Sequence, residues 1–365
     1  MRSMEHNIFS EKIENGKINF FSTPHIVIDN IFTAELAKSI NEKWPINGFQ
    51  NEVKGNRILP ITRHKYQNGA IEHCDFWSNF NESIWPRLMS TIANKFEPYG
   101  KHIFGDLYAT KISLDHPLTL MEANEEFDGH DMHTHFYHAP HWVFTVLIYI
   151  DDIDNLSEGT TLHALNPLNS NTNYSLSCLK NELQRSSEIA FNTFRWLDPK
   201  KTLIDYNHLE IDYKFNRLLC FMDGPLSLHS VKKYSTINEK RELITKFKIN
   251  SRRRILRSHV KIHHEPFYKY YSNLLGVEIN PEFFMRAMAF DPELSNDELI
   301  FKNTFLFQVY KDMVRKHSML DDINYFSERN LKDFSIISNI KKVFHSMGMS
   351  ESRDRYLAGF LNKIP

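Results

Sequence analysis

FDGHDMHTHFYHAPHWVFTVLIYID, residues 127–151, is the stretch on which the reading of this chain turns. Between Gly129 and Val143 it offers His130, Asp131, His133, His135, His138 and His141, and it then enters the apolar run Val143–Ile150. Successive side chains of a strand point to opposite faces, so residues i and i+2 share one face. His133 and His135 have that spacing, and two imidazoles aimed together into a barrel form a natural pair of metal ligands. Asp131 and His133 have the same spacing and offer an alternative carboxylate–imidazole pair. A third ligand must come from elsewhere, and His229 follows the strand-like run NRLLCFM (216–222) in FMDGPLSLHSVKK. A close pair on one strand and a distant partner on a later one can hold an ion on one side. The ion's remaining positions then stay open.

The neighbouring sequence has the texture of short strands from about 103 to 250. LYATKISL (107–114), LTLMEA (118–123), VFTVLIYI (143–150), GTTLHAL (159–165), NRLLCFM (216–222) and LITKFKI (243–249) are bounded by Asp, Asn, Gly and Pro. That pattern suits an antiparallel all-β unit. Residues 166–195 read as a long loop or insertion at the barrel mouth, where substrate-facing segments concentrate. Before the strands, HIVID precedes a helix with Thr33 as N-cap and Leu36, Ile40 and Trp44 along one face. Trp77, Phe80, Ile84, Leu88, Ile92 and Phe96 mark a second helical region. After residue 258 helical spacing returns in Phe267, Tyr270, Tyr271, Leu274 and Leu275, in Phe283, Phe284 and Met288, and in Phe305, Leu306, Val309 and Met313. The expected class is therefore α+β. A β-rich unit with its lead-in spans 1–257, and a helical C-terminal subdomain spans 258–365. Such helices commonly dimerise proteins, so a homodimer through them is an expectation.

Bulk properties narrow the function classes. The 365 residues carry a formal net charge of −1 and are 41% hydrophobic, enough to bury a core and giving no global argument for a polyanionic partner. No apolar run approaches the length of a membrane span. The first residues lack the apolar centre of a secretory signal. Cys74, Cys178 and Cys220 are too few and too scattered for a disulfide scaffold or zinc knuckle, so a reducing cytoplasm is the expected compartment. The basic stretch KFKINSRRRILRSHVKIHH (246–264) reads as a solvated edge strand rather than a phosphate track, and a nucleic acid partner is not expected. His130, His138, His141 and His163 read as ordinary surface or core histidines.

Several motifs, taken in order, resemble the iron(II)/2-oxoglutarate-dependent oxygenase superfamily in its prolyl-hydroxylase-like branch. PHIVIDNIFTAELAKSINEKWP (24–45) is similar to the lead-in of that family. DGHDMHTH, VFTVLIYID and EGTTLHAL are similar to its first metal motif and the strands that follow, and NRLLCFMDGPLSLHSV to the segment bearing its distal histidine. The chain departs from the family in having His133-Thr134-His135 where the pattern is His-x-Asp. The resemblance covers about residues 20–250 and implies a double-stranded β-helix, or jelly roll. It implies Fe(II) held by His133, His135 and His229, with Asp131 as the alternative ligand. It further implies 2-oxoglutarate as co-substrate with its far carboxylate on Arg241, Lys240 and Lys246 being rival anchors. Oxygen is then consumed in hydroxylating a small molecule or a peptidyl side chain. A three-histidine dioxygenase that does not use 2-oxoglutarate, or a non-catalytic jelly-roll binding protein, are the competing readings.

Overall fold

A computed structural model describes residues 2–21, 23–109, 114–124, 126–135, 139–151, 159–165, 206–224, 227–232 and 253–275, with Val309, Met313 and Lys316. The elements are α1 (Arg2–Asn15), β1 (Asn19–Phe20), β2 (Pro24–Ile28), α2 (Ala34–Glu42), β3 (Gln50–Val53) and β4 (Asn56–Ile61). Then come α3 (Arg63–Gln67), α4 (Cys74–Asn79), a π-helical turn at Phe80–Ile84, α5 (Trp85–Lys95), α6 (Glu97–Phe104), α7 (Asp106–Ala109) and β5 (Leu114–Asp115). The strands β6 (Leu118–Ala123), β7 (His130–His133), β8 (Trp142–Tyr149), β9 (Thr160–Leu165), β10 (Tyr206–Ile211), β11 (Arg217–Met222), β12 (His229–Val231) and β13 (Arg253–Ile262) follow, and α8 (His264–Leu275) closes the series.

Two antiparallel sheets result. The larger runs β1-β2-β11-β8-β13-β6-β4-β3, with β5 beside β13, and the smaller runs β10-β9-β12-β7. From β6 to β13 the chain visits the large, small, large, small, small, large, small and large sheets in turn. That double winding is a jelly roll.

The packing follows from strand alternation. On β8, Phe144, Val146 and Ile148 face the helices, in one cluster with Phe9, Ile40, Trp77, Trp85, Leu88 and Phe96. Leu147 and Tyr149 face the other way, into a second cluster with Met121, Leu162, Ile211, Leu219, Phe221 and Ile255, which draws on both sheets and fills the roll. The centre of the large sheet is thus buried on both faces, which is why VFTVLIYI is nearly all apolar. Each large side chain so buried contributes about 1.5–3 kcal/mol. Thr33 caps α2, its hydroxyl accepting from the Leu36 amide at 3.2 Å.

Three readings change. LYATKISL is not one strand: its first residues belong to α7 (Asp106–Ala109), after Gly105 ends α6, and its last begins β5 (Leu114–Asp115). The basic stretch is not an edge strand, because β13 lies between β8 and β6 in the middle of the large sheet. Its alternation buries Leu256, Ser258, Val260 and Ile262, while Arg254 and Arg257 are neutralised by Glu122 and Glu52. The strand also runs past residue 257 to Ile262 before α8 begins. Phe267 and Tyr271 of α8 join the helical core together with Val309 and Met313. The rest of 276–365, and with it the expected helical subdomain, lies outside the described residues, as do LITKFKI and the 166–195 insertion. Among the described residues no helix is long and apolar enough to cross a membrane.

Candidate metal centre

Register brings the site together. In the small sheet His229 of β12 stands opposite His133 of β7 on one side and Leu162 of β9 on the other. In the large sheet Thr145 of β8 stands opposite Phe221 of β11 and His259 of β13. Leu162 and Phe221 are interior residues, so these two cross-strand rows face each other within the roll. Gly129, at φ 92°, makes the left-handed turn that admits the chain to β7. That strand ends at His133, so His135 is delivered from just beyond its end, past a buried Thr134, rather than from the strand itself.

His133, His135 and His229 each present a ring nitrogen, and these atoms lie within 4.8 Å of one another. Ring centroids are 4.4 Å apart for His133 and His229, 4.6 Å for His135 and His229, and 5.4 Å for His133 and His135. His229 is buried, and its Nδ1 lies 2.9 Å from the Ser227 carbonyl oxygen, an acceptor only. His229 therefore donates from Nδ1 and keeps the Nε2 lone pair. His135 Nδ1 lies 2.9 Å from Asp223 Oδ1, so the same tautomer follows there. Fixing one ring nitrogen by a carbonyl or carboxylate is how proteins orient a ligating imidazole.

Behind His135 lies a polar relay that the sequence reading did not anticipate. Thr145 donates its hydroxyl hydrogen to Asp223 Oδ2 at 2.7 Å. Its oxygen lies 3.1 Å from His259 Nδ1 and 3.2 Å from His135 Nδ1. Each hydrogen finds an acceptor when both imidazoles donate from Nδ1 and Asp223 is ionised. Trp142 stacks on His259 with centroids 4.0 Å apart and planes at 15°. His135, Asp223 and His259 also form a second group with ligand atoms within 4.8 Å, sharing His135 with the first.

Electrostatics favours neutral rings. Burial pushes His135 and His229 well below the ordinary imidazole range, and the neighbouring His133 pushes each further down. His259 moves the same way through burial, the proximity of His135 and the positive charge of Arg257. Burial raises Asp223 to about 7, opposed by the Thr145 hydrogen bond and by His133. A cation held by the histidines would favour the ionised form of Asp223.

The other singled-out residues disperse. Asp131 is on β7, but its side chain is outside the described residues, as are His138, Lys240, Arg241 and Lys246. His130 packs its ring edge-on to Phe127 and is pushed by burial to about 4. His141 is buried beside Phe267 of α8. His163 projects from the small sheet toward His208 and Ser230. One local signal did point to the relay: Thr145 is the only polar residue in VFTVLIYI apart from the Tyr149 hydroxyl.

No protein-family profile and no curated protein matches the sequence. Solved structures give remote similarities. A prolyl 4-hydroxylase from Phytophthora capsici is 13% identical with a TM-score of 0.39, covering 100% of this chain and 93% of that one. A prolyl hydroxylase from Trichoplax adhaerens, solved with a hypoxia inducible factor oxygen degradation domain peptide fragment, is 12% identical with a TM-score of 0.36. That alignment covers 72% of this chain and 90% of the other. A Pseudomonas putida prolyl-4-hydroxylase is 9% identical with a TM-score of 0.35, covering 72% and 100%. At these scores the likeness is too remote to assign a reaction.

Proposed function

We propose that this chain is an iron(II)- and 2-oxoglutarate-dependent oxygenase acting on a small molecule or a peptidyl side chain, with His133, His135 and His229 as the iron ligands. The observation that carries the reading is the convergence of those imidazoles inside the roll, with His135 and His229 fixed so that Nε2 is free to ligate. The donor set fits a divalent transition metal, because three neutral imidazoles suit iron and leave open positions. The missing anion of a His-x-Asp pattern is supplied one hydrogen bond away, by Asp223 on the far side of His135.

Bound together at the site, iron(II) and 2-oxoglutarate would couple the reduction of oxygen to oxidation of a substrate C–H bond, with loss of carbon dioxide from the co-substrate. The chain's own part is ligation, orientation and exclusion of water. Phe221, 4.9 Å from His229, and Trp142, 5.0 Å from His135, wall the site with aromatic surface. Arg241 is the anchor that the resemblance implies for the far carboxylate. Arg257 of β13 is a rival: its charge bears on His135 and His259, and Glu52 holds its guanidinium at 2.8 Å.

A ligand set without a carboxylate also favours a second reading, a three-histidine dioxygenase that does not use 2-oxoglutarate. Iron(II) titration of the wild type and of His229→Ala, with succinate assayed on adding 2-oxoglutarate, separates the cases. Stoichiometric iron that is lost in His229→Ala, together with succinate formation, is the expected result. Iron without succinate selects the second reading, and full iron occupancy in His229→Ala removes His229 from the site.

A further inference from the structure

We propose a second metal site on the outer face of the small sheet, formed by His163 and His208 and suited to copper(II) or nickel(II). His163 of β9 and His208 of β10 are directly opposite in the antiparallel ladder. The adjoining Leu162 points into the roll, so alternation sends His163 and its partner to the other face, away from the interior histidines.

Their Nδ1 atoms are 2.9 Å apart, with ring planes at 88°. Two imidazole nitrogens at that separation, each about 2.0–2.1 Å from an ion, subtend roughly 90° at it. That is the angle between neighbouring positions of a square-planar or octahedral ion, which nickel(II) and copper(II) adopt with nitrogen ligands. Tetrahedral zinc requires a wider spread. In the metal-free chain the 2.9 Å separation is a hydrogen bond, one Nδ1–H donating to the other Nδ1, and an ion would take the place of this proton. His163 Nε2 lies 2.7 Å from Ser230 Oγ, and when the ring donates its N–H there its Nδ1 lone pair is left for the ion. His163 is buried and His208 exposed, so an ion on the pair would be reached from the His208 side. An ion bridging the pair would fasten β9 to β10 at the two ends of the intervening segment, residues 166–205.

Calorimetric titration of the metal-free full chain with nickel(II) tests the site. The wild type should take up two ions per chain, His208→Ala one and His229→Ala one, each variant losing a different ion. His163→Gln should repeat the loss seen in His208→Ala, and circular dichroism checks that both variants keep the wild-type fold. Equal nickel stoichiometry in wild type and His208→Ala overturns the outer site. Loss of an ion in His208→Ala but none in His229→Ala upholds the outer site and removes the interior one.

Discussion

At the scale of single residues, His135 poses the chemical question, because in the proposed iron site it takes the place that a His-x-Asp pattern gives to a carboxylate. Asp223 answers it from behind the ring, accepting from Nδ1 at 2.9 Å and from the Thr145 hydroxyl at 2.7 Å. Removing that charge should be felt at the metal although Asp223 need not touch it. Asp223→Asn is expected to weaken iron(II) binding by about 10–100-fold, as loss of a partner behind a ligating histidine generally does. A competition titration measures this, and unchanged affinity would confine Asp223 to packing. The same geometry makes His135→Asp a poor simple repair, since two carboxylates would then share one buried corner. The double variant His135→Asp/Asp223→Asn should therefore bind iron(II) more tightly than His135→Asp alone; weaker binding would refute the account of the relay. The convergence of His133, His135 and His229 was legible in the sequence through local spacing and a strand-like lead-in. Asp223 and His259 were not, because their proximity depends on cross-strand register, with Phe221, Thr145 and His259 aligned across three strands.

At the scale of elements, local periodicity served well where one face was apolar and the other polar. LTLMEA became β6 to the residue, and the Thr33 cap starts α2. It failed for β13, where charges on a central strand mimic an edge. Arg254 and Arg257 are tolerated there because Glu122 and Glu52 arrive from β6 and β3, which a linear sequence does not display. It also failed at 107–114, where a four-residue helix breaks an apparently β-like run. The junction of β11 with the lead-in hangs on Asn216, at φ 59°. Its side chain accepts from the Phe32 amide at 3.0 Å and donates to the Phe32 carbonyl at 2.9 Å. Asn216→Ala loses both bonds and places alanine in a left-handed conformation, at a cost of about 2–4 kcal/mol. Urea denaturation reads this directly, and a cost below about 0.5 kcal/mol would mean that the junction is held by other contacts.

At the scale of the whole molecule, the jelly roll was legible as a succession of short strands with a resemblance to guide it, while the double winding itself emerges only from pairing. Buried histidines leave a mark on stability. His130 and His163 are each pushed from 6.5 to about 4, mainly by burial. The unfolded chain takes up these protons before the folded one, so stability is complete above pH 6.5 and is lost as pH falls toward 4. For His163 alone the loss is on the order of 3 kcal/mol. Asp223, raised to about 7, works the other way and adds stability as pH falls, but the buried His135, His229 and His259 add to the loss. Urea midpoints of the metal-free protein should therefore still drop from pH 7 to pH 4, and a rise over that range would contradict the balance. The most direct test of the interior site is anomalous diffraction from a crystal soaked in manganese(II). The expected result is one interior peak within bonding distance of Nε2 of His135 and His229 and of a ring nitrogen of His133. A peak bound instead by Asp223 and His259, or no interior peak at all, would contradict the assignment.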